Sequence, residues 1–298
     1  MAVTGLPPEG AWPVPELVDR RRLEHARSDE PFRQVAVGLA TEFGELAALL
    51  AEVRADGDGG RDAAIRRGLL VRIVKYTRAL IAGTFAGHGE LQALFDRLLF
   101  ESVVDLAYLL RGGPERAQAF VVEALRPDRE LLDHLARNRE LRGGDELPME
   151  QRARLAIERK FRLAQLTPAE VPLPGAAGGW PPLPERLVAI GEPSARAMHS
   201  LGAGSTHGAW HELVTFHLAG DEQFDAQVAW TRPLIQPLFA LPIQGGRVLA
   251  TYARSVGSAV ETAFRGRLLD LVRRAAEADL QHEEFMARAD ALPPPPDA

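Results

Sequence analysis

The sequence predicts an all-α fold, an antiparallel multi-helix array or bundle with one Pro/Gly-rich loop near its middle. Three observations carry that expectation. Leu, Ala and Arg dominate while aromatic residues make up only 6%, a composition that favours helix over sheet. Long stretches repeat their apolar residues every three or four positions, and none alternates with the period of two that a half-buried strand needs. Pro and Gly clusters fall between those stretches.

A flexible N-terminal arm is expected over 1–13, then a charged helix over 14–29. The next helix, 31–56, places Val35, Leu39, Phe43, Leu46, Leu49 and Leu50 on one side and ends at the GDGG of 57–60. Leu69, Leu70, Ile73, Val74, Leu80 and Ile81 mark a helix over 61–86, and GHGE at 87–90 separates it from another over 90–111. Helices at 114–125, 127–141 and 148–166 follow. The stretch 167–187 is too rich in Pro and Gly for regular structure. Helices resume at 194–201, 207–219, 222–239 and 244–288, ahead of a disordered Pro-rich tail at 289–298. Residues 14–288 are expected to form a single helical domain with a possible sub-boundary in the 167–192 loop.

With 298 residues the chain is long enough to bury a substantial core. A net charge of −6 argues against a broad, sequence-independent grip on nucleic acid. The absence of cysteine excludes disulfides, thiolate metal sites and cysteine nucleophiles, and fits a reducing cytoplasm. No signal peptide is expected from the N-terminal stretch, and no uncharged apolar run of about 18 residues suggests a membrane span.

Leu98 to Leu110 is apolar nearly all round, the mark of a central helix. Inside it lie Glu101 and Asp105, four apart on one face, with Arg97 one turn before Glu101. Carboxylates there must be paired, hydrogen-bonded, metal-bound or protonated. A structural network with Arg97 and a functional acidic pair both satisfy that demand. If the pair is sealed in the core, removing Arg97 or Glu101 costs about 3–5 kcal/mol.

The run SLGAGSTHGAWHELVTFH (200–217) carries three of the eight histidines. Ser205 or Thr206 can cap a helix on which His207 and His211 share a face, while His217 points elsewhere. A His pair at i, i+4 is half of a typical metal site, but the glutamate of the zinc-protease motif is missing. Any metal would draw on His207, His211, Glu101 and Asp105, with His282 as a further donor. The rival readings are a polar helix-packing site and a metal-free ligand or catalytic site. In the last, Ser205 and His207 would be nucleophile and base, without the strained elbow or the acidic orienter of a triad.

Arg61, Arg66, Arg67, Arg72, Lys75 and Arg78 make one helix locally basic, and 150–162 is similar. Such runs are solvated or salt-bridged faces more often than phosphate or RNA contacts. Trp180, after Gly178 and Gly179, reads as a loop anchor.

The stretch RGLLVRIVKYTRALIAGTFAGHGELQALFDRLLFESVVDLAYLLR, with its Arg97-x-x-x-Glu101 step, resembles the opening of the bacterial domain-of-unknown-function family 5677. GGWPPLPERLVAIGEPSARAMHSLGAGSTHGAW is similar to that family's later signature, a Trp, a short helix and then Ser-x-His-Gly, and the final HEEF is similar too. The resemblance covers roughly 60–288 and implies a helical fold in which Arg97, Glu101, Ser205 and His207 converge. It implies no activity. A looser analogy to HEPN-type helical ribonucleases lacks their Arg-to-His spacing, since the nearest upstream arginine to His207 is Arg196.

Three functions are therefore carried forward. The first is a binding or interaction protein, self-associating or bound to a protein partner, with a buried Arg–Glu–His network. The second is a metal-independent nuclease or nucleotide-binding protein of HEPN-like type in bacterial stress or phage defence, with His207 as acid/base, Arg97 on phosphate and Glu101 orienting one of them. The third is a metal-binding helical bundle. No cofactor and no membrane partner is expected.

Overall fold

The computed structural model describes residues 3–55, 60–173, 179–192, 213–214, 216–219 and 225–290. Among them are nine helices: α1 (Arg20–Glu24), α2 (Glu30–Glu52), α3 (Arg61–Phe85), α4 (Gly89–Leu110), α5 (Pro114–Leu141), α6 (Pro148–Ala164), α7 (Leu183–Ala189), α8 (Gln236–Val256) and α9 (Ser258–Asp290). Four two-residue strands form two small antiparallel pairs. β1 (Val3–Thr4) pairs with β2 (Arg54–Ala55), and β3 (Leu218–Ala219) pairs with β4 (Asp225–Ala226). The all-α multi-helix array is what the composition and the 3.6-residue period demand.

α2 is the axis of the core. Its Phe32, Leu39, Phe43 and Leu50 are fully buried, and it packs against α3, α8 and α9. By length and composition α2 could cross a membrane, with a most apolar window of mean hydropathy 1.3, but its apolar side is spent on these three helices. α4 lies across α3 and α8 and carries α7 on its outer side. α5 and α6 form an outlying hairpin with a core of its own, Leu125, Ile157, Phe161 and Val171. Arg61 ties that hairpin to α3 by donating to the Ala164 carbonyl at 2.7 Å and to Gln118 at 2.5 Å.

α8 crosses α2 at Gly245, where a Cβ would sit 2.6 Å from the buried Phe43 ring, so only glycine allows that approach. Gly257, at φ +152°, then turns the chain into α9, which packs along the whole of α8.

Several boundaries differ from expectation. The helix expected at 14–29 shrinks to α1, because the backbone of Glu16 is held by side chains: its N–H donates to Glu42 and its carbonyl accepts from Arg274. Helices expected at 114–125 and 127–141 are one helix, α5, with Pro127 inside it. The helix expected at 222–239 is replaced over 225–235 by β4 and an extended strap. Gln92 donates to the Leu234 carbonyl at 2.6 Å and accepts from the Leu234 N–H at 2.7 Å, which holds the strap on α4. The helix expected at 244–288 is two, divided at Gly257, and α7 lies partly in the stretch read as irregular.

Residues 3–13, read from sequence as a flexible arm, carry β1 and place Trp12 edge-on to Phe264 with ring centroids 4.8 Å apart. The helix expected at 194–201 and residues 291–298 of the Pro-rich tail lie outside the described residues.

Candidate functional site

α4 positions every site residue that sequence reasoning found on this side of the molecule. Its first turn is fixed by the strap: Gly89 donates to the Thr231 carbonyl at 2.9 Å, and Thr231 donates to Glu90 at 3.1 Å. Two turns further on, Arg97 donates from Nε to Glu101 Oε1 at 3.1 Å, the i, i+4 pair its spacing predicted. Asp105, the next acid on the face, forms an ion pair with Arg186 of α7.

Arg186 was not singled out from sequence, and it organises the cluster. Its Nε donates to the Pro181 carbonyl at 2.9 Å, and its guanidinium lies 5.2 Å from the centre of the Trp180 ring. Burial pulls its pKa below the ordinary arginine value, while the nearby Glu101 carboxylate raises it. Trp180 is the loop anchor expected of it, with its ring 5.1 Å from Tyr108 and 5.0 Å from Phe120. A signal for α7 was present in PPLPERL: prolines at the start, Glu185 in the first turn, and Leu183 and Leu187 four apart.

The two acids and two arginines are thus interleaved into a cluster of zero net charge. Arg97 and Glu101 are not sealed in the core, since 16% and 30% of their side-chain surfaces remain exposed. The cost of breaking the pair is corrected accordingly. Glu101→Ala should lower unfolding free energy by about 1 kcal/mol in urea denaturation, as for a partly exposed pair, rather than the 3–5 kcal/mol of a sealed one. A loss above about 3 kcal/mol would contradict this.

Ser205, His207 and His211 lie outside the described residues, so the convergence of Ser205 and His207 on Arg97 and Glu101 remains an expectation. Among the described residues no three His, Asp or Glu side chains stand close enough to hold a metal ion. His282, the further donor considered, is enclosed by Phe32 at 5.0 Å and Phe239 at 6.2 Å, with its Nε2 3.5 Å from Asp29. It is a core histidine.

On the opposite flank of this face, α4, α7 and α8 enclose a cleft of about 300 Å³. Phe100, Val103, Val104 and Ala107 line its α4 wall, Leu187 and Ile190 its α7 wall, and Ile243 and Val248 its α8 wall. Polar groups stand beside this apolar lining: Arg111, Glu192, Gln244, Arg247 and Thr251. Arg111 donates to the Ile190 carbonyl at the end of α7, and so fixes one edge of the opening. Sequence reasoning missed the cleft because its walls come from segments about 50 to 150 residues apart, each reading as ordinary apolar periodicity.

Comparison of the chain with protein-family models, with curated proteins and with solved structures finds no match.

Proposed function

We propose that the chain is a helical binding protein that holds a small, largely apolar molecule in the cleft between α4, α7 and α8. The observation that carries this reading is the cleft itself, with apolar walls from three helices and charged groups among its exposed lining residues. That combination is the usual make-up of a small-molecule site. The interleaved Arg97, Glu101, Asp105 and Arg186 then act as scaffold, fixing α7 against α4 so that the cleft has a defined width.

Binding of the neutral fluorophore N-phenyl-1-naphthylamine tests the reading. Its emission should rise saturably at about one equivalent per chain. Ala107→Phe, which fills the cleft from its α4 wall, and Thr251→Trp, which obstructs it from an exposed position on α8, should each reduce the affinity at least tenfold with helical content unchanged. Saturable binding that survives both substitutions, or no binding by the parent chain, would overturn it.

A further inference from the structure

Resting on that reading, we infer that the cleft takes a single-chain carboxylic acid of medium length, its chain among the apolar walls and its carboxylate on Arg247. Size sets the length. At about 30 Å³ for a water-sized group, a cleft of about 300 Å³ has room for roughly ten such groups. Charge sets the head group.

The lining carries two arginines, Arg111 and Arg247, against one carboxylate, Glu192, an excess of one positive charge that a single anion neutralises. Arg111 spends a donor on the Ile190 carbonyl. The exposed Arg247 guanidinium has no hydrogen-bond or ion-pair partner among the described residues. A guanidinium offers the planar fork that matches a carboxylate, whereas a neutral head group draws much less from it. Arg247 and the wall residue Val248 are neighbours on α8 and both line the cleft, so head and chain can be held at once.

Decanoate and 1-decanol, titrated calorimetrically into the full chain, separate the two parts of the inference. Decanoate should bind more tightly than decanol. Arg247→Gln, on an exposed helical position, should weaken decanoate about tenfold or more, the effect of a lost charged hydrogen bond, and leave decanol within about twofold. Decanol binding as tightly as decanoate, or decanoate indifferent to Arg247→Gln, would overturn the head-group assignment and leave the cleft reading standing. Binding of neither ligand would remove both.

Discussion

Arg274→Ala should destabilise the protein by about 3–5 kcal/mol, measured by denaturant unfolding at neutral pH. Arg274 and Glu42 are 7% and 5% exposed, and they are bound two-pronged: Nη2 donates to Glu42 Oε1 at 2.6 Å and Nη1 to Oε2 at 2.9 Å. Nη1 also reaches the Glu16 carbonyl at 2.8 Å, Nε donates to Asp270 at 2.8 Å, and the Glu16 N–H donates to Glu42 at 2.9 Å. Burial works against the charged guanidinium, yet Glu42 and Asp270 outweigh it and hold the Arg274 pKa above its ordinary value. Removing the arginine leaves Glu42 buried with one backbone N–H as its remaining partner, and an unpaired buried charge is what makes such losses large.

The same network fastens α2 to α9 and pins the chain entering α1, so the loss should also expose residues 15–19 to proteolysis. Replacing both partners, Arg274→Met with Glu42→Leu, should recover most of the loss, because no stranded charge remains. An Arg274→Ala variant within about 0.5 kcal/mol of the parent would show that the network contributes nothing net.

That network also shows where the sequence stops being legible. The long helices α2, α3, α4 and α6 announce themselves by period and by Gly or Pro at their ends, and the Arg97–Glu101 pair follows from helix geometry alone. Glu42 carried a local hint, lying between Leu39 and Leu46 on the apolar stripe of α2. Its partner is 232 residues away, and no local pattern pairs them. The same holds for Asp105 and Arg186, and for the cleft.

Where local preference failed, a distant contact had displaced it. Before α1, Pro15 could open a helix that Glu16 and Leu17 would continue, yet side chains from α2 and α9 claim the Glu16 backbone. The strap at 227–235 is extended because Gln92 and Glu90 supply the backbone partners that a helix would have supplied internally. Gly257 could be read as tolerated in a long helix, whereas its φ of +152° is one that L side chains rarely adopt.

Asp96→Asn should stabilise the protein by about 2–3 kcal/mol at pH 7.5 and by little at pH 4. Asp96 is on α4, one turn after the buried Gln92 and one turn before the cleft residue Phe100. Its carboxylate has no hydrogen bond or ion pair among the described residues, and burial alone pushes its pKa up to about 6 from an ordinary value of 3.8. The sign follows from linkage. Because the folded state holds the proton more tightly than the unfolded chain, the favourable contribution is complete below about pH 3.8 and is lost as pH rises through 6. At neutral pH the native chain therefore carries an ionised, unpartnered carboxylate beside its core, which asparagine removes at nearly constant volume. Between pH 4 and 6 the parent should lose stability relative to the variant, the gap widening toward pH 6, measured as the difference in Tm at half-unit intervals. A variant less stable than the parent at pH 7.5, with an unchanged slope between pH 4 and 6, would mean that the Asp96 carboxylate is held by a partner in solution.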